Sequence, residues 1–165
     1  MTSTTTHDIT PMQRDEAAAA AIRRHHEHLV TELGQLVEAL RTPDGADEGA
    51  DDGATAKAQL VTWARTALAP HAAGEETTFY RSAAELEAGR LLIAGMVAEH
   101  QVILGIVAAI DASTEPAATA AWAEALLRVF TSHAAKENDL VLPLLVSDPS
   151  TNLAELLEQM HHDAH

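Results

Sequence analysis

Cysteine is absent from the 165-residue chain, which excludes disulfides, iron-sulfur ligation and thiolate zinc sites. Any metal it holds must use nitrogen and oxygen donors. Aromatic residues are scarce too, at 3% against 47% hydrophobic residues. The apolar mass is therefore Ala, Leu, Val and Ile, which favours helices over a sandwich of aromatic and β-branched strands. Cations are few: 10 Lys and Arg stand against 25 acids, for a formal charge of -15. That balance opposes nucleic acid or an anionic membrane surface, both of which need clustered Lys and Arg. No uninterrupted apolar run reaches membrane-spanning length, and the Thr-rich stretch from Met1 to Glu16 has no apolar signal core. The expectation is a cytoplasmic protein with no nucleic-acid and no membrane partner; the sequence names no protein partner.

One domain over residues 1–165 is the default at this length. Four long stretches carry apolar residues at helical spacing. The first, about Pro11 to Arg41, has Ile22, Leu29, Leu33, Leu36 and Leu40 as its stripe. The second, about Thr55 to Ala84, puts Leu60, Trp63, Ala64, Ala67 and Leu68 on one face, and Pro70 should kink it or restart it just before His71. The third, about Glu85 to Ala112, shows Leu92, Met96, Ile103, Val107 and Ile110. The fourth, about Pro116 to Leu145, turns Trp122, Leu126, Val129, Phe130, Leu140 and Leu144 inward. Short connections predict an all-α, up-down-up-down four-helix bundle over about 12–147. An acidic loop at about 42–54 holds Asp44, Asp47, Glu48, Asp51 and Asp52 and reads as solvated chain rather than a calcium site. The tail, about 148–165, carries a short amphipathic C-terminal helix from about Thr151 to Met160, and His161, His162 and His165 read as a disordered end.

Ten histidines in so short a chain demand an account, but spacing alone is weak. His28-x3-Glu32, His71-x3-Glu75 and His133-x3-Glu137 all occur, and about one such pair is expected by chance at this composition. Helical phase separates them, because an inward ligand must share the core stripe at about 100° per residue. His26 lies four after Ile22 and three before Leu29, on the stripe; His28 points away, and His25 lies at its edge. His71 follows Leu60, Ala64 and Leu68, with Glu75 one turn on. His100 continues Leu92 and Met96. His133 follows Leu126 and Val129, with Glu137 one turn before Leu140 and Val141. Each helix thus offers one inward imidazole, and two add a carboxylate. Taken singly, each residue has a plain structural reading, as a core histidine or a surface i,i+4 partner. Together they would cost several kcal/mol apiece unless satisfied, and a metal satisfies all of them at once.

The chain also repeats itself. His71-Ala-Ala-Gly-Glu75 matches His133-Ala-Ala-Lys-Glu137, and the segment around His26 parallels that around His100. This pattern, an isolated His on helices one and three and a His-x3-Glu on helices two and four, resembles the hemerythrin-like or HHE cation-binding domains from about Asp15 to Val146. The resemblance implies His26, His71, Glu75, His100, His133 and Glu137 as metal ligands, with the glutamates bridging two irons through an oxo- or hydroxo-bridged centre and the histidines capping each iron. Leu142-Pro143-Leu144 is also similar to the family's sequence after the last glutamate. Two departures thin the ligand supply relative to oxygen carriers: Met96 and Leu104 stand one turn from His100 where a further His belongs, and Asn138 stands where an Asp follows the last helical His. The positions thus left open await water, substrate, Glu99, Tyr80 or His25.

Imidazole with carboxylate suits iron, manganese or zinc, and a bridged pair inside a bundle favours iron. Such a centre binds dioxygen, peroxide or nitric oxide, and the expectation is binding or turnover in oxidative or nitrosative stress or iron homeostasis. If an enzyme, it is a di-iron oxidoreductase. Rival readings are an oxygen or iron sensor or store without catalysis, and a metal-free helical interaction module. A ferritin-like centre would need Glu-x2-His motifs on two helices, and only Glu158 to His161 matches.

Overall fold

The computed structural model describes residues 10–41 and 52–163. The acidic loop expected at about 42–54 falls mostly outside the described residues, as does His165. Every element among those described is helical: α1 (Pro11–Arg41), α2 (Asp52–Trp63), a π-helical turn (Ala64–Leu68), α3 (Ala69–Thr77), α4 (Phe79–Glu85), α5 (Arg90–Ala112), α6 (Pro116–Lys136), a second π-helical turn (Glu137–Val141), α7 (Leu142–Ser147) and α8 (Leu153–Asp163).

Local chemistry sets the ends. Thr10 and Gln13 form a reciprocal capping box, with Thr10 N donating to Gln13 Oε1 at 2.9 Å and Gln13 N to Thr10 Oγ1 at 3.3 Å, and Pro11 takes the first helical position, where its missing N–H costs nothing. Pro70 falls in the first turn of α3, directly after the π-helical turn, so the helix restarts there. The wider π turn carries one extra residue and spares the proline ring its clash with the preceding carbonyl. Thr78 breaks the path between α3 and α4; it is buried, and its Oγ1 donates back to Gly74 O at 2.7 Å.

The core divides into two apolar clusters. One unites Leu29, Leu33 and Val37 of α1 with Leu60, Leu68, Ile103, Ile110, Leu126 and Phe130. The other joins Ala19 and Ile22 of α1 to Phe79, Tyr80, Ile93, Met96, Val141, Leu145 and Leu153. Burying each large side chain contributes about 1.5–3 kcal/mol. Between the clusters, at one level, lies the buried polar layer of His26, His71, Glu75, His100, His133 and Glu137. α5 has the length and the mean hydropathy, 1.9, of a membrane span, yet seven of its residues, His100 included, are buried against the other helices.

Three expected core positions are corrected. Trp122 and Leu140 are 45% and 50% exposed, and Leu144 is only partly buried. Ala123 takes the inward place beside Leu126, one residue on from Trp122. At the other end, the turn Glu137–Val141 adds a residue to the helix, so Val141, Leu142 and Leu145 face the core in place of Leu140 and Leu144. A phase carried at 100° per residue fails across such a turn. The C-terminal stretch also differs from expectation: α8 runs to Asp163 and includes His161 and His162. Leu153 is fully buried, and the Ala154 N–H is capped by Asp15 Oδ1 at 3.0 Å.

Candidate metal centre

Four helical segments each carry one imidazole into the polar layer. His26 comes from α1, His71 and Glu75 from α3, His100 from α5, His133 from the end of α6 and Glu137 from the turn that follows. The six fall into two overlapping groups, His26 with His71 and His100 with His133, and Glu75 and Glu137 belong to both. All six are buried, and within each group one ligand atom per residue lies within 4.8 Å of every other.

The carboxylates are turned so that each gives one oxygen to each group. Glu75 Oε1 lies 3.2 Å from His26 Nε2 and 3.0 Å from His71 Nε2, while its Oε2 lies 3.5 Å from His100 Nε2. Glu137 Oε2 lies 3.4 Å from His26 Nε2, and its Oε1 3.6 Å from His133 Nε2. Despite these distances, both ring nitrogens of His71, Glu75 Oε2 and Glu137 Oε2 are buried without a hydrogen-bond partner among the described residues. His26 Nε2 and Glu75 Oε1 share a hydrogen bond, but His71 Nε2 lies 3.0 Å from the same oxygen with no hydrogen bond between them, which is the spacing of neighbouring donors on one metal with bonds of about 2.0–2.2 Å. A buried polar atom otherwise costs about 1–3 kcal/mol, so this donor set fits a metal and is poorly served without one.

Behind the inner ring, three imidazoles are held by their far nitrogens. His26 Nδ1 meets Asn138 Oδ1 at 2.8 Å, His100 Nδ1 meets Glu76 Oε1 at 2.8 Å, and His133 Nδ1 meets Glu99 Oε2 at 3.1 Å. Such partners fix the tautomer that leaves Nε2 for a metal. Glu99 therefore stands behind His133, where it also accepts a hydrogen bond from Lys136, and not at the open position. Asn138 has the same supporting place behind His26. Tyr80 does reach the inner ring: its hydroxyl donates to Glu137 Oε1 and lies 3.2 Å from His133 Nε2, and its ring stacks on His100 at 5.3 Å. His25 is partly exposed, with its ring edge-on to His71 at 5.0 Å. The exposed His28 pairs with the half-buried Glu32 at 3.3 Å, and Glu32 also accepts a hydrogen bond from Trp63 Nε1 at 3.0 Å.

The electrostatics follow from packing. Burial alone would raise the pKa of Glu75, but His71, His100 and His26 outweigh it and hold the carboxyl well below the usual range. Burial would lower His26 and His100, yet the facing Glu75, with Glu137 or Glu76, raises both. Burial, then the nearby Glu137 and Glu75 charges, pushes Tyr80 upward, so its hydroxyl keeps its proton. Burial beside His71 and His26, with no hydrogen-bonded carboxylate of its own, pushes His25 down to about 4.

Sequence phase pointed to the six inner residues; it did not pick out Glu76 or the supporting role of Asn138, which depend on contacts between distant segments. Neither a curated protein nor a solved structure matches the chain. Residues 17–145 match the family model described as the hemerythrin HHE cation binding domain, and the chain belongs to that cation-binding family.

Proposed function

We propose that the protein is a non-haem di-iron protein of an up-down-up-down bundle, which binds or turns over dioxygen, peroxide or nitric oxide at the centre shared by Glu75 and Glu137. The observation that carries this reading is that each of the two carboxylates presents one oxygen to His26 and His71 or His26 alone, and the other to His100 or His133. That is the disposition of two bridges between two metal positions. The alternating order in which successive helical segments meet the two apolar clusters supports the bundle topology.

Donor count separates the candidate metals. Two imidazoles and two shared carboxylates would saturate tetrahedral zinc, whereas six-coordinate iron keeps positions for small ligands. A bound iron pair supplies electrons to, or accepts them from, such ligands. The chain's own residues do the rest. Glu76, Glu99 and Asn138 orient three imidazoles, the two apolar clusters exclude water above and below, and Tyr80 holds a proton beside Glu137 Oε1. The unpartnered atoms of His71, Glu75 and Glu137 speak against a metal-free interaction module.

Elemental analysis tests the proposal on untagged protein in which His161, His162 and His165 are all replaced by alanine, so that the tail cannot hold stray metal. About two irons per chain are expected, as for bundle di-iron sites. One metal per chain, or zinc alone after iron supplementation, overturns it.

A further inference from the structure

By their inner donors the two metal positions are equals, each with two imidazoles and one oxygen from each shared glutamate. What stands behind the imidazoles is unequal. The partners follow one rule across the internal repeat. The residue after each shared glutamate serves a histidine on another helix: Glu76 holds His100 Nδ1 and Asn138 holds His26 Nδ1, each at 2.8 Å. The residue before His100 does the same for α6, where Glu99 holds His133 Nδ1 at 3.1 Å. By that rule the fourth place, before His26, falls to His25. Its ring stands edge-on to His71 at 5.0 Å, and His71 Nδ1 stays buried without a hydrogen-bond partner among the described residues.

Two carboxylates therefore back one metal position and none backs the other. His100 and His133 each meet a glutamate, and Lys136 pairs with the other oxygen of Glu99 and keeps it aimed. His26 meets a neutral amide. Behind His71, Gly74 stands where the matching motif has Lys136, and Leu157 and Met160 of α8 flank the His25 and His71 rings. A carboxylate that accepts the Nδ1 proton raises the basicity of Nε2, the atom that meets a metal. Its hydrogen bond is also about twice as strong as a neutral one. Tyr80 does not offset the difference, because its hydroxyl lies on the His133 side as well.

We propose that Glu76 and Glu99 are positioning residues that make the two metal positions unequal. The ion between His100 and His133 binds first and leaves last, and the ion between His26 and His71 is the exchangeable one. This rests on the two-metal reading and deepens it by giving the order of loading.

Manganese(II) is the probe, because it takes oxygen and nitrogen donors and its anomalous scattering marks the occupied position in a crystal. In the full, metal-free chain given about one equivalent, the ion is expected between His100 and His133. Manganese between His26 and His71, or divided evenly, overturns the proposal; no manganese or iron at either position, even in excess, overturns the two-metal reading with it. Glu76→Gln combined with Glu99→Gln keeps an acceptor behind each ring but removes both charges. It should weaken the first manganese by about tenfold to hundredfold, read by competition with a chelator, and even out the occupancy. His25→Glu puts a carboxylate in the fourth place and should tighten the second ion by about tenfold with the first unchanged. That gain is one a merely structural role would not produce, and it keeps the test decisive if the glutamine variant fails to fold. A folded glutamine variant with unchanged first-ion affinity, or no tightening in His25→Glu, overturns the proposal while leaving two metals per chain intact.

Discussion

Glu75 and Glu137 are the two residues common to both ligand groups, and each turns one carboxylate oxygen toward each group. Their loss should therefore differ in kind from the loss of one histidine. Glu75→Ala is expected to abolish tight iron binding at both positions, while His133→Ala should retain about one iron per chain, that held between His26 and His71. Elemental analysis with circular dichroism as a folding control checks this; equal losses in the two variants would mean that the carboxylate is not shared.

Tyr80 contributes to the metal-free protein as well. Its hydroxyl donates to Glu137 Oε1 and both residues are buried, so Tyr80→Phe strands a buried carboxylate oxygen. The expected cost is about 1–3 kcal/mol in the stability of the metal-free protein, read from urea unfolding. An unchanged midpoint would show that the hydrogen bond contributes nothing.

Gly74→Ala sets two effects against each other. Alanine improves the helix by about 1 kcal/mol, but the new Cβ meets Met160 Cγ at 2.8 Å. The prediction is faster amide exchange across Leu153–Asp163 with α3 still protected, reversed when Met160→Ala is added. Faster exchange that persists in the double variant would remove Met160 as the cause.

Gly89 offers a sharper contrast with Gly95 and Gly105. A Cβ at Gly89 would lie 1.9 Å from the Ala83 carbonyl oxygen, whereas at Gly95 or Gly105 nothing stands within 4 Å. Gly89→Ala should cost at least about 1–3 kcal/mol through overpacking, and Gly95→Ala should gain up to about 1 kcal/mol in helix propensity. Urea midpoints of the two variants should move in opposite directions; a stable Gly89→Ala would show that the turn before α5 yields freely.

Much of this protein was legible without coordinates because helical phase is local. Ile22, His26 and Leu29 share a face by spacing alone, as do Leu68, His71 and Glu75, and the repeated His-Ala-Ala-x-Glu motif set the two carboxylates on matching turns. The inner ring, the all-helical class and the exposed His28 follow from that one periodicity. It broke where the helix changed pitch: the π turn at Glu137–Val141 moved the core face from Leu140 and Leu144 to Val141, Leu142 and Leu145.

What only the tertiary structure decided is which groups from remote segments stand beside the inner ring. No pattern within α3 or α5 places Glu76 behind His100, nor does one within α6 place Glu99 behind His133, because those contacts depend on how separate helices are offset and rotated. The same holds for Asp15, which caps α8 from 139 residues away. Spacing determines which way a side chain leaves its own helix; packing between helices determines what it meets, and so which half of the centre lies under ion pairs and which lies under an apolar wall.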